Sequence, residues 1–183
     1  MYGQLQRICF AMVLGGSLIF TATANAQALP NPYRMVQDWL VLPEGRQMGA
    51  AGDLDIDIDG KHLWAVIRCD AGPEDFGHEC LNSDLDPIVK IELATGNVVF
   101  SMGKGLFIWP HGLEVDLEGN IWVTDSVRAN AIPDGDGRGH VVYKFSPNGE
   151  VLNMLGTLGE AGNGKTHFNS PADVVVASDG SIF

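Results

Sequence analysis

At 183 residues and a formal charge of −12, the chain has room for one ordinary domain and clusters no basic residues that could track phosphates. Nucleic acid and anionic lipid surfaces are therefore excluded as partners.

In chain order, the first residues read as an address. Arg7 supplies a short basic region, Ile8 to Phe20 is apolar, and Ala24-Asn25-Ala26 fits a small-x-small cleavage site. Residues 1–26 are thus expected to be a signal peptide, with the mature chain starting at Gln27 and exported to the periplasm or the exterior. The apolar run, about 13 residues, is well short of the roughly 20 needed to span a bilayer, so no membrane insertion is expected. Cleavage removes Cys9. Residues 27–48 form a lead-in, and residues 49–183 carry a repeat.

The repeat opens at Gly52 to Trp64, GDLDIDIDGKHLW, an apolar alternation, an acidic turn with glycine, then an apolar-aromatic pair. That is the pattern of a β-hairpin. It returns at Pro110 to Trp122 and, without a gap against that copy, at Pro171 to Phe183. A second hairpin follows the first two copies, at 87–100 and 141–154, so each full unit has four strands. Four strands make one propeller blade, and the fold class is all-β. Two blades and the first hairpin of a third are present, and closure takes about four to eight blades. The chain is therefore expected to be the N-terminal part of a longer propeller, with Trp64 and Trp122 packed between blades. Between the first blade's hairpins lie Cys69 and Cys80, which read as one disulfide in an oxidising compartment, or as two unpaired thiols. A zinc site needs more ligands than these two supply.

Three motifs match a pattern and fail their context. Gly159 to Thr166 spells a phosphate-binding loop, but Pro171 and Val174-Val175-Val176 forbid the helix that such a loop must feed. Asp55 to Gly60 opens like an EF-hand, yet its twelfth position is Val66 rather than a bidentate Glu. Asp134 to Gly137 is an acidic loop expected to be solvated. His62, His78, His140 and His167 are also expected to be solvated.

The pieces Pro110-His111-Gly112-Leu113, Val115-Asp116, Gly119-Asn120-Ile121-Trp122-Val123-Thr124-Asp125 and Val142-Tyr143-Lys144-Phe145-Ser146-Pro147-Asn148-Gly149 together resemble the NHL repeat. Their order resembles six-bladed propellers related to the peptidyl-α-hydroxyglycine α-amidating lyases, over roughly Gly49 to Phe183. The resemblance implies a zinc held on the central axis by three histidines from different blades, and a nearby calcium held largely by backbone carbonyls. By the Pro-His-Gly-Leu match, His111 is the candidate zinc ligand and Leu113 a candidate carbonyl donor to calcium. The same comparison gives Leu54 as a second donor, with its register open by one residue. Arg68, closing Ala65-Val66-Ile67-Arg68, takes the place of an arginine near the substrate. A guanidinium there can hold a carboxylate or oxyanion in bidentate fashion. The segment from Cys69 to Asp86 departs from the family in length and composition, which implies a different pocket wall. The remaining zinc histidines, a second arginine and a tyrosine base are implied beyond Phe183, so no lyase activity is expected of these 183 residues alone.

Two functions follow. One is a metal-dependent carbon–nitrogen lyase acting on a small-molecule or peptide ligand at the axis. The other is a non-catalytic propeller binding a peptide, glycan or protein, since a fold does not fix a function. The export reading has its own check: expression in a Gram-negative host should give a mature N-terminus at Gln27, within a residue or two. N-terminal sequencing that finds Met1 on a cytoplasmic product would overturn it.

Overall fold

A computed structural model describes residues 31–128, 132–134 and 136–183; the expected signal peptide, with Cys9 and Gln27, lies outside them. Among these residues eight strands form: β1 (Ala51–Ile56), β2 (His62–Ile67), β3 (Ile88–Glu92), β4 (Val98–Met102), β5 (Pro110–Val115), β6 (Ile121–Asp125), β7 (Val141–Phe145) and β8 (Val151–Gly156). They build two four-stranded antiparallel sheets in which spatial order equals chain order. This is the blade pattern of a propeller. Aspartate and glycine set the first turn of each blade. The Asp57 carbonyl accepts the Gly60 amide at 2.9 Å and the Asp116 carbonyl accepts that of Gly119 at 2.8 Å. Both glycines have positive φ (64° and 83°), which costs them nothing because they lack Cβ.

The inner strands share a register. Each carries an irregularity near its start, between Ala51 and Leu54 or between Pro110 and Leu113. Leu54 then faces Ala65 and Leu113 faces Val123. Leu54 and Leu113 therefore occupy the same rung of successive blades, which fixes the register that the sequence leaves open.

Alternation along β2 and β6 divides their side chains between two faces. Trp64 and Val66 join Ile88, Phe107, Leu113, Ile121, Val123, Tyr143 and Phe145 in the core between the blades. On the other side of the second sheet, Trp122, Val142 and Val174 pack together with Phe168. The expected third hairpin is present as reciprocal bonds between Val175 and Phe183 (3.0 and 2.9 Å) and a bridge from Val176 to Ile182. The remaining face of the first blade, Leu63, Ala65, Ile67, Val89 and Ile91, is covered by Trp39, Leu40 and Leu42 of the lead-in. Val41 donates to the Gly96 carbonyl at 2.8 Å and Trp39 Nε1 to that of Leu93 at 3.3 Å. At Gly96 (φ 75°) a Cβ would lie 1.7 Å from the Trp39 carbonyl oxygen, so no other residue fits there.

Each blade is also clamped by an Asp, a Trp and a Lys drawn from three strands or turns. Asp57 Oδ2 accepts Trp64 Nε1 at 2.8 Å and Lys90 Nζ at 2.7 Å, and the ammonium stands 5.2 Å from the indole centroid. Asp116 Oδ2 repeats this with Trp122 Nε1 at 3.0 Å and Lys144 Nζ at 3.1 Å, the ammonium 5.0 Å from the ring. Two tryptophans expected only as packing thus also anchor a carboxylate, which satisfies the buried N–H.

Burial alone would raise the Asp116 pKa, but the Trp122 indole, the Asn120 amide and Lys144 hold it at about 2 against an ordinary 3.8. Because folding lowers this pKa, the carboxylate contributes about 2 kcal/mol above pH 3.8, a contribution lost as pH falls toward 2. Denaturant melts across pH 5 to 2 should show an acid limb in stability, and Asp116→Asn should remove part of that limb while costing about 2 kcal/mol at neutral pH. An acid limb identical in the variant would refute the clamp's role.

Candidate functional site

The site is built where β5 begins. Asp125, at the end of β6 and fully buried, accepts the Ile108 amide on Oδ2 at 2.9 Å and the Trp109 amide on Oδ1 at 2.8 Å. Burial pushes this carboxyl up to about 6 against the pull of those two amides. The Cys80 amide donates to the Ile108 carbonyl at 3.0 Å, and the Gly112 amide to Thr124 Oγ1 at 2.9 Å. Residues 107–112 are thereby fixed on several sides, and they present Trp109 and His111.

The first blade meets this segment at close range. A Cβ on Gly52 would lie 2.7 Å from the His111 carbonyl oxygen, so glycine is needed for the strands to approach. Arg68 follows β2. Its amide donates to the Ala50 carbonyl at 2.9 Å and its Nε to the Pro110 carbonyl at 3.0 Å. The guanidinium carbon stands 5.1 Å from the Trp109 ring centroid, and the His111 ring meets Trp109 edge-on at 5.3 Å. The structure therefore sets Arg68, Trp109 and His111 in one group. It also brings the Leu54 and Leu113 backbones to neighbouring inner strands, where the Leu113 amide donates to Asp53 Oδ2 at 3.0 Å.

Cys69 and Cys80 are joined by a disulfide. The bridge closes a loop that leaves β2 through two left-handed residues, Cys69 (φ 47°) and Asp70 (φ 57°). Arg46 clasps Asp70 through Nη2 at 2.8 Å and Nε at 3.0 Å, tying the lead-in to this turn. The loop carries Phe76 edge-on to Trp109 at 5.3 Å. It also buries Glu79, whose Oε1 lies 3.6 Å from Arg68 Nη1 and whose Oε2 accepts the Gly77 amide at 2.8 Å. Burial lowers the Arg68 pKa and the charge of Glu79 opposes that shift. A cleft of about 470 Å³ opens here, lined by Met48, Gly49, Ala50, Gly72, Phe76 and Glu79.

One histidine stands differently from the sequence reading, and other polar side chains have partners. His140 is not solvated but fully buried: its Nδ1 accepts the Ser170 amide at 3.2 Å, and burial pushes its pKa down. It holds the second blade to the segment leading into the third hairpin. His62 begins β2 and pairs with Asp59 at 2.6 Å. His167 pairs with Glu160 at 3.3 Å. Asp136, expected to be solvated in an acidic loop, pairs with Arg138 at 2.6 Å. Arg138 also donates to the carbonyls of Phe107 and Leu81, at 3.1 and 2.8 Å. Glu79 and Trp109 were not singled out by the sequence, because one acid among many and one aromatic beside a proline give no periodic signal. Among the described residues, no three His, Cys, Asp or Glu side chains gather as a metal set. No described helix is long and apolar enough to cross a membrane.

No family model matches the chain. Individual proteins do. The chain is 38% identical over 99 residues to peptidyl-alpha-hydroxyglycine alpha-amidating lyase 1 of Drosophila melanogaster, covering 52% of this chain and 16% of that protein. It is 36% identical over 101 residues to peptidylglycine alpha-amidating monooxygenase of Rattus norvegicus, covering 54% and 9%. The Caenorhabditis elegans protein named probable peptidyl-alpha-hydroxyglycine alpha-amidating lyase pgal-1 is 35% identical over 111 residues, covering 58% and 29%. About half of this chain is homologous to peptidyl-α-hydroxyglycine α-amidating lyases. It spans less than a third of each of these three relatives.

The disulfide generates a prediction. The cysteines stand 11 residues apart in sequence, and closing such a loop contributes roughly 3 kcal/mol by the chain-entropy estimate. Replacing both with serine should lower stability by that order. Peptide mapping without reductant should recover the 69 and 80 peptides linked, and quantitative alkylation of both thiols in the untreated protein would overturn the pairing.

Proposed function

We infer that this chain supplies the first part of the active site of an exported amidating lyase of the peptidyl-α-hydroxyglycine type. The observation that carries the reading is the grouping of Arg68, Trp109 and His111 where β5 begins. Homology to lyases over about half of the chain supports it, and the disulfide suits an oxidising compartment. The reaction class removes the hydroxyl proton of an N-acyl carbinolamide and breaks its C–N bond. The C–N electron pair leaves with the amide nitrogen, which takes up a proton, and the carbinol carbon becomes a carbonyl.

The metal partners are tested by the donors present. A catalytic zinc takes three protein ligands and an open position, and the described residues bring no such trio together. Among the described residues the half-buried imidazole of His111 would be one such ligand. For calcium, a hard cation served by oxygen, Leu54 and Leu113 would offer carbonyls from equivalent rungs. A bound zinc would supply Lewis acidity at the hydroxyl oxygen. The part played by this chain is positional. Arg68, held by the Pro110 carbonyl and Trp109, orients the substrate end, and the rigid 107–112 segment fixes where His111 stands.

The test uses the protein encoded by the complete gene. Elemental analysis should find close to one zinc per chain, and His111→Ala should lose most of it, because one missing ligand breaks charge balance and geometry together. Arg68→Ala should keep the metal and lower turnover of a peptidyl-α-hydroxyglycine about a hundredfold, an orientation effect. Negligible zinc in both wild type and His111→Ala would end the lyase reading in favour of a binding propeller.

A further inference from the structure

Two of the large apolar side chains that stay in contact with water flank the same opening. Met48 of the lead-in and Phe76 of the disulfide loop are 55% and 61% exposed. Both line the cleft of about 470 Å³, together with Ala50, Ala71 and Pro73. A single exposed apolar residue is ordinary on a protein surface, but two on the walls of one concave opening mark a place that receives an apolar group.

The cleft adjoins the candidate site through shared residues. Phe76 stands edge-on to Trp109 at 5.3 Å, and the same indole meets the Arg68 guanidinium at 5.1 Å and the His111 ring at 5.3 Å. Ala50, on the cleft wall, accepts the Arg68 amide at 2.9 Å. The wall that carries Phe76 is anchored by the Cys69–Cys80 bridge and by the Cys80 amide on the Ile108 carbonyl at 3.0 Å. Two carboxylates also line the cleft, and each has a cation of its own: Asp70 has Arg46 at 2.8 Å and Glu79 has Arg68 at 3.6 Å. With these charges matched, the walls ask for no charged occupant, and Met48 and Phe76 favour an apolar one.

Resting on the lyase reading, we propose that this cleft is a specificity subsite for the apolar side chain of the residue that precedes the α-hydroxyglycine. The substrate class is then a peptide whose penultimate residue is aromatic or large aliphatic. In a peptidyl-α-hydroxyglycine the reacting residue ends the chain and carries only a hydroxyl on its α-carbon. A cleft beside the site can therefore be filled only from the peptidyl side. Its volume lies in the ordinary range of ligand sites and holds an aromatic ring together with part of the backbone that bears it.

The experiment compares N-acetyl-Phe-α-hydroxyglycine with N-acetyl-Ala-α-hydroxyglycine, in the protein encoded by the complete gene with its disulfide intact. In wild type, kcat/KM should favour the phenylalanine compound about tenfold, through KM, because an apolar contact made equally before and during reaction changes binding alone. Phe76→Ala and Met48→Ala each remove part of the apolar wall and should cut that preference to about a third. A wild-type preference below about threefold overturns the proposal, and that comparison needs no variant to fold. A preference that survives both substitutions overturns it as well, since the discrimination then arises elsewhere. Should neither compound be cleaved, the lyase reading fails, while the cleft is still decided by calorimetry with N-acetyl-Phe-Gly and N-acetyl-Ala-Gly. Tighter binding of N-acetyl-Phe-Gly in wild type, lost in Phe76→Ala or Met48→Ala, supports the subsite. Equal binding of the two, binding of neither, or a difference that both variants retain overturns it.

Discussion

The inner strands of adjacent blades run close together without pairing, and the structure depends on what occupies their unpaired amides. A backbone N–H left bare and buried costs about 1–3 kcal/mol. Here side chains of the preceding blade serve as acceptors: Asp53 and Asp55 take the amides of Leu113 and Val115. The alternate acidic residues of β1 therefore replace the missing ladder of hydrogen bonds between blades. Their cost is a line of like charges along the inner strands, which is why Glu114 is raised by burial and then by Asp55.

With the junction fixed, the clamps of Asp57 with Trp64 and Lys90 and of Asp116 with Trp122 and Lys144 hold each blade internally. They lie toward the turn end of each first hairpin, away from His111. Near β5 the same task falls to a different carboxylate. Asp125 binds the Ile108 and Trp109 amides from within the core, and Arg138 braces the carbonyl of Phe107. The segment bearing His111 is thus tethered from several sides.

The disulfide loop carries the difference between this chain and a generic pair of blades. It places a buried acid against the arginine that the family resemblance singled out, and it places an aromatic edge against Trp109. Homologous sequence covers about half of the chain, and the loop's contribution is read from geometry.

By itself the sequence determined the blade pattern, because the alternation of apolar residues and the Asp-Gly turns recur visibly and each is a local preference of the backbone. Arg68, His111, Leu54 and Leu113 were singled out only by the resemblance to the lyases, and the structure sets Arg68 and His111 beside the same indole, Trp109. The pairing of Cys69 with Cys80 was legible as one of two readings. What only the tertiary structure decided depends on contacts between segments far apart in the chain. Glu79 meets Arg68, Asp55 meets Val115, and His140 is sealed against Ser170. Nothing in a single strand's period distinguishes an acid that neutralises a buried arginine from one that faces water, because burial and charge balance are properties of the neighbours that folding brings together.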